Sequence, residues 1–177
     1  MNVVLVGIAG SHNAFSLSLY NLKAYAYQDL KIRKRWDINV IQHPLINFGE
    51  TYNNEKLSDL TKKIISKKPN LVGFSCYMWN IYEFIDIATG IHNISPDTKI
   101  IFGGPEIATD YVTEGNFDEF PIDFCVSGAP TNVSGHEVPD FLYGGVRPLV
   151  EKCLCHKDHA WGAIATLKGS VVKKGLL

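Results

Sequence analysis

"LVGFSCYMWNIYEFIDIA", residues 71–88, decides the fold of this chain. The unbroken apolar run at 71–75 predicts a strand that is buried on both faces, as strands of parallel sheets are. Apolar residues then recur at helical spacing, namely Ile81, Phe84, Ile85 and Ala88. Residues 76–80 therefore form a strand-to-helix junction, and such junctions line the ligand-binding edge of parallel sheets.

The same alternation of strand and helix runs along most of the chain. Apolar runs predict further strands at residues 3–8, 37–43, 99–103 and 122–128. Helical spacing predicts one helix from Asn13, a candidate N-cap, to about Leu30, and another with Leu57, Leu60, Ile64 and Ile65 on one face. Because parallel neighbours need long, usually helical crossovers, we expect a doubly wound, Rossmann- or flavodoxin-like sheet of five parallel strands with helices on both faces.

The pattern changes after residue 128. Residues 129–148 are rich in Gly and Pro, which predicts irregular structure. Residues 161–177 predict two short strands that turn at 168–170 and pack as a hairpin on an edge of the sheet. We therefore expect an α/β domain at 1–130 and an irregular extension with a hairpin at 131–177.

Composition limits the classes of function. The chain has 177 residues and a net charge of -1, without the basic excess that a nucleic-acid partner requires. No apolar window approaches the roughly 18 residues of a membrane span, and no basic segment precedes the apolar start, so we expect a cytoplasmic protein with no membrane partner. The cysteines are expected to be free thiols; they are Cys76, Cys125, Cys153 and Cys155.

Candidate binding residues follow the predicted strands, because ligands bind at the carboxyl ends of parallel strands. Tyr77, Met78 and Trp79 indicate a broad, flat, partly apolar ligand, unless they pack on a neighbouring loop. Gly103 and Gly104 would let backbone approach a ligand, and the proline after them suits the first turn of a helix, unless the turn only closes the strand. The full candidate set is Ala9, Gly10, Ser11, Ser75, Cys76, Tyr77, Met78, Trp79, Gly103, Gly104, Pro105, Glu106, Ser127 and Gly128.

Several common motifs are missing from the sequence. The loop after the first strand lacks both the G-x-x-x-x-G-K-[ST] phosphate loop and the G-x-G-x-x-G dinucleotide fingerprint. Residues of the types that bind zinc occur close together at the end of the chain, but their spacing departs from that of zinc fingers. They are Cys153, Cys155, His156 and His159. The sequence picks out no set of catalytic residues.

Three segments together resemble the N-terminal cobalamin-binding domain of cobalamin-dependent radical S-adenosylmethionine enzymes. They are "VGFSCYMWNI" (72–81), "IIFGGPEIATD" (100–110) and "IDFCVSG" (122–128), within a resemblance that spans about residues 1–130. The resemblance implies a corrin ring over the carboxyl edge of the sheet, with the nucleotide tail in a crevice between the third- and fourth-strand loops. It also implies that Ser75, Cys76 and Tyr77 line the corrin face, with Trp79 beneath cobalt.

The chain departs from related patterns in two places. Where the cobalamin-binding family has an acidic Gly-Glu-Gly-Glu after the fifth strand, this chain has Ser127-Gly128-Ala129-Pro130. The D-x-H-x-x-G loop that supplies a cobalt-ligating histidine is not formed around His12, because Gly10 and Phe15 occupy its outer positions. We therefore expect base-off cobalamin without a histidine lower ligand.

No three cysteines have the C-x-x-x-C-x-x-C spacing that holds an iron–sulfur cluster. We therefore expect no cluster in this chain and a radical S-adenosylmethionine catalytic domain supplied in cis or in trans, for methyl transfer. Two other functions stay open. One is a free-standing nucleotide binder or small enzyme that uses the same crevice, and the other is a cofactor-free interaction remnant.

Overall fold

A computed structural model describes residues 1–10, 14–44, 54–107, 117–127 and 171–172. The strands are β1 (Asn2–Ile8), β2 (Asp37–His43), β3 (Leu71–Ser75), β4 (Lys99–Gly104), β5 (Phe124–Ser127) and β6 (Val171–Val172). The helices are α1 (Leu17–Ala26), α2 (Leu30–Arg35), α3 (Asn54–Ile65) and α4 (Ile81–Ile94). Among these residues no helix is long and apolar enough to cross a bilayer.

The strands form one sheet in the order β2-β1-β3-β4-β5-β6. The first five are parallel, and β6 pairs antiparallel with β5 at the edge. The predicted doubly wound sheet of five parallel strands is confirmed. From β1 the chain moves outward to β2 and then returns past β1 to β3, so the strand order reverses between β1 and β3. This is the topological switch point, where open parallel sheets place their ligands.

Helices cover both faces of the sheet, as predicted. The larger core cluster joins α3 and α4 to alternate residues of β1, β3 and β4. The smaller cluster joins Ile32 of α2 to the other face, which carries Val3, Leu71 and Ile101. Because side chains alternate along a strand, the two clusters together bury the strands on both sides.

Strand β3 is central to this packing. All five of its residues are buried. The Phe74 ring lies 4.7 Å from that of Phe84 on α4 and 5.3 Å from that of Phe102 on β4, measured between centroids. The apolar run at 71–75 is therefore a strand because both of its faces meet hydrophobic partners, as the sequence indicates.

The predicted helix from Asn13 to about Leu30 is confirmed over residues 17–26, but the described residues on either side, 14–16 and 27–29, are not helical. The structure has α1 from Leu17 to Ala26 and a second helix, α2, that begins at Leu30. The break occurs where the Asp29 carboxylate accepts a hydrogen bond from the backbone N–H of Lys31 at 2.7 Å and so caps α2. The predicted helix runs on to about Leu30, whereas α1 ends at Ala26 and the Asp29 cap starts a separate helix. Asn13 lies outside the described residues.

Elements after β3 also differ from the predicted bounds. Strand β4 extends to Gly104, and β5 starts at Phe124 rather than at residue 122. The later start follows from Asp123, whose carboxylate accepts hydrogen bonds from the backbone N–H of Ile100 at 2.9 Å and from Lys99 Nζ at 2.8 Å. Of the predicted hairpin only β6 is described; its other strand and its turn lie outside the described residues, as does most of the 131–177 extension.

Lys68 gives a stability prediction. This residue follows α3 with a φ of 48°, a left-handed conformation that costs an L residue about 1 kcal/mol. Lys68→Gly should therefore raise the free energy of unfolding by about 0.5–1 kcal/mol and Tm by about 1–4 °C. Lys67→Gly is the matched control and should lower Tm, because Lys67 is not in the left-handed region. A lower Tm for Lys68→Gly would contradict this explanation.

Candidate functional site at the carboxyl edge of the sheet

The carboxyl ends of β1, β3 and β4 bring most of the candidate residues to one edge. Ala9 is buried and Gly10 exposed after β1, while the loop after β3 carries Tyr77, Met78 and Trp79. The loop after β4 exposes 105–106 at the same edge. Ser127 ends β5, but nothing of its side chain is described, and Ser11 and Gly128 lie outside the described residues.

Trp79 lies across the topological switch point. Its indole Nε1 donates a hydrogen bond to the carbonyl of Ile8, the last residue of β1, at 3.3 Å. A Cβ placed on Gly10 would lie 3.2 Å from indole Cε2, so the absence of a side chain there lets the indole cover the loop after β1. Trp79 therefore bridges β3 to β1 rather than leaning toward β4.

Tyr77 and Trp79 form an aromatic platform at this edge. Their rings are stacked, with centroids 4.6 Å apart and an interplanar angle of 10°. Trp79 is 38% exposed and Met78, between them in sequence, is 75% exposed. Because flat aromatic surface and a polarizable thioether favour flat, partly apolar ligands, this platform is the part of the edge best suited to such a ligand.

Asn80 holds the platform in place, and the candidate set derived from the sequence does not include it. Its amide Nδ2 donates to the carbonyls of Ile8 at 3.1 Å and Ser75 at 3.2 Å, and its Oδ1 accepts from the backbone N–H of Tyr77 at 2.8 Å. The side chain is fully buried. It thus joins the ends of β1 and β3 to the loop that carries both aromatic rings.

The position of Asn80 explains why sequence reasoning misses it. It stands at the N-cap of α4, where Asn is common, yet its side chain makes no cap hydrogen bond. The amide turns back toward the strand ends instead. A polar residue directly before a helix is the available signal, but that signal predicts the cap and not the cross-strand contact.

The expectation that the Cys76 side chain lines a ligand face is not met by the geometry. This side chain is 0% exposed and belongs to the larger core cluster. Burial, and after it the nearby Cys125, raises the pKa of the Cys76 thiol well above its ordinary value. The thiol therefore stays neutral, and only the backbone of Cys76 is available to the edge.

The backbone of Cys76 also closes the gap between the loops after β3 and β4 at the point where Cys76 lies. Its N–H donates to the carbonyl of Gly103 at 2.6 Å, and its carbonyl accepts from the N–H of Glu106 at 3.3 Å. Gly104 has a φ of 112°, and a Cβ on it would lie 2.5 Å from the Cys76 carbonyl oxygen. Gly104 is therefore required by the contact between the two loops, whatever ligand the edge receives.

Pro105 and Glu106 occupy a turn. The N–H of Ile107 donates to the carbonyl of Gly104 at 3.1 Å, which closes a four-residue turn. The helix expected to begin at Pro105 is not formed at residues 105–107, and residues 108–116 lie outside the described residues. Both turn residues are exposed, so the Glu106 carboxylate is accessible at the same edge of the sheet as the aromatic platform.

Metal-binding groups are not found in the described part of the chain, where no three His, Cys, Asp or Glu side chains cluster. The possible zinc ligands at 153–159 lie outside it. His43 is the described histidine at the carboxyl edge, at the end of β2, where its Nδ1 lies 2.6 Å from the carbonyl oxygen of Pro44.

The parallel sheet and the aromatic platform at its switch point define a doubly wound domain with a candidate ligand-binding surface at its carboxyl edge. The family model of the B12 binding domain matches residues 35–128, more than half of the chain, so the chain belongs to that family. This membership supports cobalamin as the ligand. The match covers the loops after β3 and β4 and begins after β1, although β1 lies between β2 and β3 in the sheet. No curated protein matches the chain.

Asn80→Asp should make stability depend on pH. The substitution puts a carboxyl oxygen where the amide now faces two carbonyl oxygens, and this environment and burial should raise the pKa of the new carboxyl above its unfolded value of about 3.9. The folded state then holds the proton more tightly than the unfolded state. The variant should therefore be most stable at low pH and lose stability as pH rises above about 4, measured as Tm against that of the parent chain.

Two further variants serve as controls for that experiment. Asn93→Asp, at an exposed position of α4, should show little such dependence. Asn80→Ala should lose about 3 kcal/mol at every pH, because it leaves buried backbone groups without partners. A Tm difference for Asn80→Asp that stays constant across pH would contradict the assigned hydrogen bonds.

Gly104→Ala should destabilise the fold by about 2–4 kcal/mol, because its Cβ would strike the backbone of Cys76 and its φ is unfavourable for alanine. The measurement is urea denaturation. Gly90→Ala on α4 is the matched control: the new Cβ would meet only the Thr61 side chain at 3.2 Å, and helix propensity favours alanine, so its effect should stay below about 1 kcal/mol. Equal effects of the two substitutions would show that the β3–β4 contact is not needed.

Proposed function

We propose that the chain is the cobalamin-binding module of a radical S-adenosylmethionine methyltransferase-type protein, and that its platform of Tyr77 and Trp79 receives the corrin ring. The observation that carries the proposal is the exposed aromatic stack at the β1–β3 switch point in a member of the B12 binding domain family. A stacked pair of rings offers a flat apolar surface that suits a macrocycle. When bound, cobalamin would supply a cobalt centre for transfer of a methyl group.

Some residues of this edge would contact the cofactor through their side chains, and others only through their backbone. Trp79 and Met78 are exposed where a corrin face would rest, and the carboxylate of Glu106 is available to amide groups at the corrin rim. Because Gly10 has no side chain, the loop after β1 fits beneath the indole of Trp79. Cys76 is proposed to contribute only as backbone, since its thiol is enclosed in the core.

We propose a path for the nucleotide tail beside Ser75 and Gly103. These residues are paired in register, and their alternation places them on the sheet face of the smaller core cluster. Both residues are small and buried, so the tail would take the place of the groups that cover them. The gap between the β3 and β4 loops is a poorer path, because backbone hydrogen bonds of Cys76 close it.

The lower face of cobalt is proposed to lack a histidine ligand. The first-strand loop has Gly10 and Phe15 where the D-x-H-x-x-G pattern needs Asp and Gly, and His12 lies outside the described residues. His43 stands at the end of β2, and we assign it no role at cobalt. The cofactor would then be bound base-off, with Trp79 beneath it.

The catalytic partner is proposed to be a radical S-adenosylmethionine domain, in cis or in trans. Its support is the resemblance of the β3 and β4 loops together with the lack of a C-x-x-x-C-x-x-C motif in this chain. The chain by itself would therefore present a cofactor rather than complete a reaction. The alternatives of a nucleotide-binding enzyme and of a cofactor-free remnant have no structural observation in their favour.

Hydroxocobalamin binding tests the proposal directly. After incubation and gel filtration, the protein should form a coloured band with a base-off absorption spectrum. Trp79→Ala should lower the affinity about tenfold or more, because it removes one ring of the platform. Tyr20→Ala, an exposed aromatic residue of α1, is the matched control and should retain the cofactor.

The possible results test cobalamin binding and the role of the aromatic platform separately. A colourless band for the parent chain would reject cobalamin binding by this module. A coloured band that Trp79→Ala leaves unchanged would keep the cofactor but reject the platform. A spectrum altered by His43→Ala would show that a histidine does reach cobalt.

A further inference from the structure

The basic side chains of the described residues are concentrated in two runs. Lys31, Arg33, Lys34 and Arg35 belong to α2, and Lys62, Lys63, Lys67 and Lys68 lie at and after the end of α3. These are eight of the eleven Lys and Arg residues in the described ranges, and neither run contains an acidic residue. The remaining described residues hold three basic and eleven acidic side chains, so charge is strongly segregated.

The start of the chain brings the two runs together in space. The backbone nitrogen of Met1 donates to the carbonyl of Arg35 at 2.9 Å. The amide Nδ2 of Asn2 donates to the carbonyls of Lys67 and Lys68 at 3.1 and 3.2 Å. Both runs lead into parallel strands, β2 and β3, on either side of β1. They therefore form one surface, the basic edge, at the amino ends of the strands.

The charges of the basic edge are available to a partner. All eight side chains are exposed. Among the described residues only Lys62 of the two runs forms an ion pair with a carboxylate, that of Asp59 at 3.2 Å. The chain-wide net charge of -1 predicts no polyanionic partner, but it averages over the whole chain. At the basic edge the eight basic side chains stand against Asp37, at the start of β2, and Asp59, which pairs with Lys62.

Exposed aliphatic side chains accompany the charges. Leu30 begins α2, Met1 adjoins Arg35, and Ile94 ends α4, all three at the amino side of the sheet. None of the exposed aromatic residues in the described ranges belongs to either run, so the surface offers no stacking platform for nucleic-acid bases. Basic side chains with aliphatic neighbours match the requirements of an anionic lipid surface.

We propose that the basic edge docks the protein on an anionic phospholipid membrane surface, without insertion of a spanning helix. This inference does not depend on the cofactor. The amino ends of parallel strands lie opposite the carboxyl edge that carries the aromatic platform. Docking through the basic edge therefore leaves the candidate binding site facing away from the lipid.

Vesicle sedimentation with the whole chain tests the proposal. The protein should bind phosphatidylcholine vesicles that contain about 30% phosphatidylserine, and salt should release it between about 50 and about 500 mM. Lys67→Gln and Lys34→Gln should each weaken binding about fivefold, and together about 25-fold, if the two runs act as one surface. Lys56→Gln, in the first turn of α3 and thus at its opposite end, is the matched control and should change binding less than about twofold.

A second pair of variants tests the aliphatic component. Leu30→Ser should weaken vesicle binding several-fold, whereas Leu17→Ser, also exposed and at the start of α1, should not. No sedimentation with anionic vesicles, equal binding to neutral vesicles, or an equal loss with Lys56→Gln would overturn the proposal. So would tighter binding to duplex DNA or to poly-glutamate than to the vesicles, in favour of a nucleic acid or an acidic protein.

Discussion

The Asn80 amide is the interaction on which the carboxyl edge depends. Register pairing between β1 and β3 ends at Val6 and Phe74, so the carbonyl of Ile8 beyond them has no ladder partner on β3. The amide of Asn80 and the indole of Trp79 donate to that carbonyl instead. Two side chains thus replace the ladder at the point where the strands separate. Because a buried carbonyl without a donor is costly, these two donors stabilise the point where β1 and β3 separate.

Much of the fold can be read from the sequence, because hydrophobic periodicity is repeated along the chain. Strands β2 and β3 match their predicted bounds, and the apolar faces of α3 and α4 do lie in the core. The errors come from single polar contacts that periodicity does not contain. The Asp29 cap starts a second helix, α2, where the predicted helix ends, and the Asp123 carboxylate delays the start of β5.

The candidate site is harder to predict for a similar reason. Residue types indicate which chemistry is available, but not whether a side chain points to the surface or into the core. Trp79 and Cys76 stand three positions apart in one loop, yet the indole is at the surface and the thiol is in the core. Gly104 fits a ligand channel in the sequence, whereas in the structure its missing side chain admits the backbone of Cys76. Asn80 fits a helix cap, and its partners lie on two strands that are more than sixty residues apart in sequence.

The two edges of the sheet differ because the ends of a parallel sheet are not equivalent. The carboxyl ends of β1, β3 and β4 lead into loops at the candidate site, and α2, α3 and α4 return the chain to the other edge with their last turns. Basic residues suit those last turns, because the helix dipole favours cations there. The α2 and α3 runs follow this local preference, and the parallel topology gathers them on one side without a long-range contact between the charges. A chain near neutrality thereby acquires a basic edge opposite an aromatic one, and each edge can meet its own partner.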